Sequence, residues 1–280
     1  MDDVPGHEGM VAVRSLDRVS MAILRTLLVL TCAAPRAAEC AGAGGDPAHE
    51  PTASNAADST RSHPSENAFP VTLGSFSTTL TGSVPGRTHN IRLACRELDG
   101  VVMAPGDVLS FNRSVGPRTA ERGYCDAPVI LRESRQLQLG GGICQAASTL
   151  FVAGLVSGLS VVTRHRHSNP VDYIPLGQDA TISWGVKDLK LRNDLDQPVR
   201  IHLEVLGSTL TARIEAQAPL RESYELYSDV RETDDALAGA PGREIELYRI
   251  RRIDGEERDR ELVHRDVFPI ARVRSLEVGR

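Results

Sequence analysis

Gly140, Gly141 and Gly142 deliver Cys144 to the start of a long apolar run, Ile143 to Ser157. A thiol placed there is poised for chemistry, because orphan N–H groups and the positive end of a helix dipole favour thiolate over thiol. Glycines allow positive φ and close backbone approach. The same run also fits a packed turn beside an inert thiol, since free cysteine is among the most buried residue types. A cysteine nucleophile needs a base to hold it as thiolate and a third group to orient the base. His167 and Asp179 follow Cys144 and supply those types in order. His167 precedes Ser168-Asn169-Pro170, where an extended segment must end and a side chain can turn toward a cleft. The polar run Arg164-His165-Arg166-His167 is equally what a solvent-facing segment looks like. Asp172 and Asp188 rival Asp179, and Asp188 is also placed to cap an element or to pair with Lys187 or Lys190.

On this reading Cys144 attacks, His167 shuttles the proton, Asp179 orients the imidazole, and backbone N–H groups near Cys144 and Gln145 hold an oxyanion. Gly141, Gly142, Gln145, Arg118 and His165 are the expected substrate contacts. Cys144, His165 and His167 could ligate zinc, but the chain has no Cys-x-x-Cys pair and no histidine pair at i, i+4. No metal is expected. Neither a Walker loop nor a G-x-G-x-x-G fingerprint occurs, so no nucleotide and no cofactor is expected.

The elements that must position these groups are legible in outline. Val71, Leu73 and Ser75 alternate with Thr72, Gly74 and Phe76 as a strand. Val84-Pro85-Gly86 then leads into a helix with apolar positions Ile91, Ala94 and Leu98, ended at Gly100. Val101–Met103 and Val108–Phe111 read as strands joined by a Pro105-Gly106-Asp107 turn, and Ala127–Leu131 as another. The run from Ile143 is apolar on nearly every face, which predicts a buried helix. Strands follow at Leu159–Thr163 and Ala180–Trp184. Val199, Ile201, Leu203 and Val205, a Gly207-Ser208 turn, then Leu210, Ala212 and Ile214 predict a hairpin with one face on a core. A last hairpin follows the polar stretch Glu232 to Gly242 and turns at Asp254-Gly255. The expected class is α+β: a mostly antiparallel sheet around a buried central helix that starts at Cys144, plus a C-terminal β-hairpin.

The 280 residues hold 32 Lys+Arg against 37 Asp+Glu, net charge −5, with no basic stretch interleaved with aromatics. Nucleic acid is therefore not an expected partner. With 4% aromatics and Trp184 the single tryptophan, no stacking platform for sugars is evident. Residues 1–43 read as a secretory leader, with Met-Ala-Ile-Leu-Arg from Met21, an apolar run from Thr26 to Ala34 and small residues Ala41-Gly42-Ala43. Its opening is unusually acidic, which favours a start at Met10 or Met21. Residues 44–70, polar apart from Phe69, cannot bury enough surface to offset ordering entropy and read as a disordered linker. The folded part then divides into a core, 71–216, and a C-terminal extension, 217–280. Removal of the leader leaves Cys95, Cys125 and Cys144, an odd count. If any pair forms it is Cys95 with Cys125, and three reduced thiols is the alternative.

The order cysteine, histidine, aspartate on helix, strand and strand resembles the layout of transglutaminase-like and papain-like thiol enzymes. Longer motifs carry a second resemblance. Gly140-Gly141-Gly142-Ile143-Cys144-Gln145-Ala146-Ala147-Ser148-Thr149-Leu150 closely resembles the signature of the VanW family. So do the stretches from Arg164 to Thr181, from Pro105 to Asn112, from Val115 to Tyr124 and from Trp184 to Asn193. The likeness covers Leu73 to Ala216 strongly and Arg243 to Val273 more loosely. It implies an exported, extracytoplasmic cell-envelope protein, secreted or periplasmic, linked to glycopeptide (vancomycin) resistance. Members often carry peptidoglycan-binding modules, and no obvious N-terminal module of that kind is expected here, the linker being too short and polar. The expected partner is a cell-wall peptide or envelope protein, and the expected state a monomer. The function expected is a thiol-dependent acyl-transferase or amidase acting on peptidoglycan or another envelope peptide. The alternative is a non-catalytic envelope-binding or accessory protein.

Overall fold

A computed structural model describes residues 68–269 apart from 81, 83, 132–133 and 238–239. The expected leader and the expected linker up to residue 67 lie outside the described residues. The linker's last residues differ from expectation: Phe69 is buried under the Arg200 guanidinium, 5.3 Å from its ring centre. A single large apolar side chain suffices to tie down the entry to the first strand.

The described chain is mostly antiparallel strands with few helices. One sheet has the order β1-β9-β8-β2, from Val71–Thr79, Thr209–Ala216, Val199–Leu206 and Val102–Met103. Its β8–β9 hairpin has the expected register, Ile201 opposite Ile214 and Leu203 opposite Ala212, and those four side chains are buried. Helix α1 (Pro85–Leu98) starts with proline at its first position, where the missing N–H loses no bond. Its Ile91, Ala94 and Leu98 are buried, as their spacing requires. Helix α3 (Ile143–Val156) buries every residue except Cys144 and packs on β1, β9 and α1. A second sheet has the order β3-β7-β6, from Val108–Ser110, Lys190–Arg192 and Ser160–Thr163. A separate two-stranded arm pairs β4 (Asp126–Leu131) with β5 (Ser134–Leu139).

Three departures from the sequence reading have local causes. Phe111 opens a short helix, α2 (Phe111–Val115), instead of ending a strand, because the Ser110 hydroxyl accepts the Arg113 N–H and Asp188 accepts the Asn112 N–H. The segment at 180–184 is not a strand: its Thr181 N–H bonds the His165 carbonyl, and Ser183 bridges Lys187. Beyond residue 216 the chain forms a three-stranded sheet, not a lone hairpin: β10 (Glu222–Leu237), β11 (Ala240–Ile253) and β12 (Glu256–Pro269). The polar stretch from Glu232 to Gly242 lies mostly within β10 and β11, where Glu232 stands opposite Arg243 and pairs with it. Charges of opposite sign across a ladder support strand pairing as well as apolar alternation does. Leu226 and Leu247 join the core that contains α3, and Arg249 Nη1 donates to the Leu159 carbonyl at 2.7 Å.

Candidate active site

The glycine turn is shaped by three different neighbours. A Cβ on Gly140, which has φ +77°, would stand 2.8 Å from the Arg118 side chain. A Cβ on Gly141 would stand 2.4 Å from the Ala127 carbonyl oxygen, so β4 can approach only a glycine. Gly142, at φ +103°, caps α3 and faces the Arg87 side chain. The turn thus sets Cys144 in the first turn of α3, half-buried and facing a cleft of about 530 Å³.

Ser148, one turn below, locks the opposite wall. Its hydroxyl lies 2.9 Å from the Cys144 carbonyl oxygen and accepts the Ala180 N–H at 2.9 Å. That bond brings the next two residues to the thiol: Thr181 Oγ1 is 3.5 Å from Sγ, and the thiol donates to the Ile182 carbonyl at 3.6 Å. The Thr181–His165 backbone bond aligns the 165–167 and 179–181 segments side by side. His167 therefore meets Asp179 twice, through its N–H at 2.8 Å and its ring Nδ1 at 2.6 Å, both on Oδ2. The ring lines the same cleft as the Cys144 thiol, near enough for each to shift the other's charge state. Tyr173 stands edge-on to the imidazole, ring centres 6.4 Å apart.

The electrostatics follow from these contacts. Burial alone pushes the Cys144 thiol up, but the hydrogen bond and charge of His167, with the Ile182 backbone and Thr181 hydroxyl, bring it down to about 7. Burial opposes the imidazolium, yet the Asp179 and Cys144 bonds raise His167 to about 9. Burial also disfavours the Asp179 carboxylate, and the His167 bond followed by the Arg164 charge outweighs it, giving about 2. These opposite shifts favour the thiolate–imidazolium form of the pair over thiol and neutral imidazole.

Arg164, which the sequence reading left among solvent-facing charges, is buried behind the pair. Its Nε and Nη2 hold the Asp179 carbonyl and Oδ1, both at 2.7 Å, while Nη1 spans both oxygens of Asp266 on β12 at 2.8 and 2.7 Å. Only a planar fork of donors can serve two carboxylates in this way. Arg87 was missed as well. It lines the cleft from α1 and donates to Gln145 Oε1 at 2.6 Å. The signal that could have found it was its place in the first turn of the helix preceding the glycine turn.

Of the expected substrate contacts, only Gly142 and Gln145 line the cleft. Gln145 has its amide committed elsewhere, since Nε2 donates to Thr78 Oγ1 and the Thr79 carbonyl while Oε1 receives Arg87. Its N–H bonds the Gly142 carbonyl at 2.9 Å, which removes it as an oxyanion donor. Gly141 is buried against β4. Arg118 packs against the turn, with its guanidinium 5.9 Å from the ring centres of both Phe111 and Trp184. His165 faces a different groove, beside Arg166, His264 and Arg265. Asp188 is spent on Ser110 and Asn112, and Asp172 is an exposed residue of the cleft rim. Cys95 and Cys125 are free thiols, so the pairing considered for them is not made. Among the described residues no three His, Cys, Asp or Glu side chains could together hold a metal ion, and no helix is long and apolar enough to cross a membrane.

Residues 86–215 match the family model described as VanW like protein. The chain is 41% identical over 138 residues to uncharacterized protein YoaR of Bacillus subtilis (strain 168), covering 49% of this chain and 46% of that protein. It is 29% identical over 145 residues to vancomycin B-type resistance protein VanW of Enterococcus faecalis (strain ATCC 700802 / V583), covering 50% of this chain and 53% of that protein. The matched region thus spans about half the length of these relatives. No solved structure matches the chain. Over residues 86–215 the chain is similar to VanW proteins, and that match ends before β10 begins.

Proposed function

We propose that this VanW-like protein is an exported, thiol-dependent acyl-transferase or amidase acting on an envelope peptide such as peptidoglycan. The observation that carries the reading is His167, bonded to Asp179, set beside Cys144 at the wall of an open cleft. Cys144 Sγ attacks a carbonyl carbon, and the His167 imidazolium gives its proton to the departing amine. The acyl group then rests on sulfur as a thioester. An acceptor amine or water, losing a proton to His167, takes the acyl group and restores the thiol pair. Asp179 holds the imidazole in the tautomer and orientation both steps need. The order of these groups along the chain resembles the layout of transglutaminase-like enzymes. The leader-like start of the chain supports an extracytoplasmic location, and the name of the Enterococcus relative supports a link to glycopeptide resistance.

A second reading, a non-catalytic envelope-binding or accessory protein, draws on Arg87 and Lys187, two cations that line the cleft and suit a peptide carboxylate. Iodoacetamide labelling of the folded chain between pH 5 and 10 separates the two. The enzyme reading expects a rate that rises with a midpoint near 7 at Cys144 and disappears in Cys144→Ser, together with amine release from peptidoglycan fragments. A midpoint near the ordinary thiol value of 9, or fragment binding that survives Cys144→Ala with no bond cleaved, supports the binding module instead.

A further inference from the structure

We propose that Asp266 of β12 is a positioning residue of the thiol site, acting through Arg164 on Asp179 and thereby on His167. The inference rests on the thiol reading above and places part of the working site outside the stretch shared with the family model, which ends at residue 215.

Side chains of alternating charge run inward from the C-terminal sheet. Asp266 grips Arg164 with both oxygens, Arg164 grips Asp179 with its side chain and main chain, and Asp179 grips His167, which reaches Cys144. The side chains of Asp266, Arg164 and Asp179 are only 5 to 6% exposed. Water therefore screens them little, and each charge is felt by the next.

Charge counting then gives Asp266 a definite task. Arg164 alone would cancel Asp179 and leave nothing net behind the imidazole. With Asp266 present the trio carries one negative charge, which favours imidazolium and hence thiolate. Asp266 also fixes the guanidinium plane, so that Nε and Nη2 remain aimed at Asp179. The sheet holding Asp266 is itself seated on the core by Leu226 and Leu247, by the Arg249 bond to Leu159, and by Ser228 donating to the Leu176 carbonyl at 3.0 Å.

Other charged and titratable groups face the series. On the thiol side stand Arg87 from α1, Arg118, and Asp172 and Tyr173 from the segment after His167. Lys187 lines the cleft. Behind, His264 Nε2 is 3.5 Å from Asp266, and His165, Arg166 and Arg265 line the same groove.

The test is the rate of Cys144 alkylation by iodoacetamide against pH in the full chain. Asp266→Asn is expected to move the midpoint upward and to cut the rate at pH 7 about three- to tenfold. Asp266→Glu recovers part of the loss. Glu246→Gln, which removes a comparably buried carboxylate on β11 bonded to Arg265 and Tyr248, leaves the midpoint in place. Should Asp266→Asn not fold, Asp266→Ser serves, because it likewise removes the carboxylate and must shift the midpoint in the same direction. A folded Asp266→Asn or Asp266→Ser with the wild-type midpoint overturns the role of Asp266. A wild-type midpoint near 9 instead overturns the thiol reading itself, so the two failures are distinguishable.

Discussion

Cys95 and Cys144 sit on two 14-residue helices, α1 and α3, that pack against each other, yet their thiols are driven in opposite directions. Cys95 lies well inside α1, 3% exposed, where burial and then the Asp99 charge push it up to about 12 despite Arg92. Cys144 also suffers desolvation, but its place at a helix start leaves room for an imidazole, a hydroxyl and main-chain groups around sulfur. Desolvation pushes both thiols up, so it does not by itself explain why they part. What does is whether the chain leaves room beside sulfur for groups that stabilise the charge. In α3 that room exists because the glycine turn admits Arg87, Arg118 and β4 at close range without covering the thiol.

The contrast can be broken most severely at its base. Removing the imidazole with His167→Ala leaves desolvation as the leading influence on Cys144, so its thiol should titrate at or above 9. Iodoacetamide labelling at pH 7 should fall about 50-fold, from roughly half thiolate to about one per cent. An unchanged rate would mean that the helix start alone activates the sulfur.

A smaller effect is expected from the turn. In Gly141→Ala the new methyl meets the Ala127 backbone and must displace β4, costing about 1–3 kcal/mol in denaturant unfolding. Gly106→Ala is the comparison, since Gly106 has φ +85° but nothing within 4 Å. It should lose only about 1 kcal/mol. Equal losses at the two sites would show that the close approach of β4 is relieved without cost, since Gly141 itself has no positive φ to strain.

The smallest effect belongs to the inert thiol. Cys95→Ala removes one sulfur from a packed site and should cost about 1 kcal/mol while leaving the rate and midpoint of Cys144 labelling unchanged. Labelling of Cys95 itself below pH 9 would contradict its buried, unassisted state.

Much of the core architecture could be read from pattern. The β8–β9 hairpin, α1 and the apolar α3 follow from period-2 and period-3.6 spacing that the burial of Ile201, Ile214, Ile91 and Leu150 matches. Within the site, the proximity of His167 and Asp179 was legible from chain order and from the Ser168-Asn169-Pro170 break. Arg164 was not, because a basic residue in a run of four polar ones carries no sign that it will be buried between two carboxylates. The expected contacts Arg118 and His165 were misread for a related reason: a side chain's type states what it can bind, whereas its direction depends on neighbours contributed by other segments. The strands β5 and β10 escaped notice because charged and polar residues alternate there without a clear apolar face.

By itself the sequence determined the glycine turn, the apolar helix behind it, and an ordered supply of thiol, imidazole and carboxylate. These are local matters, governed by backbone freedom and hydrophobic period. Only the tertiary structure decided that the three groups meet, through the Ser148 and Thr181 bonds that carry the 179–182 segment to the start of α3. It also decided that Asp266, about a hundred residues beyond Asp179's guanidinium partner in the chain, stands behind them. Such contacts depend on which buried charges can find partners once the core has closed, and a buried charge accepts whichever segment brings one.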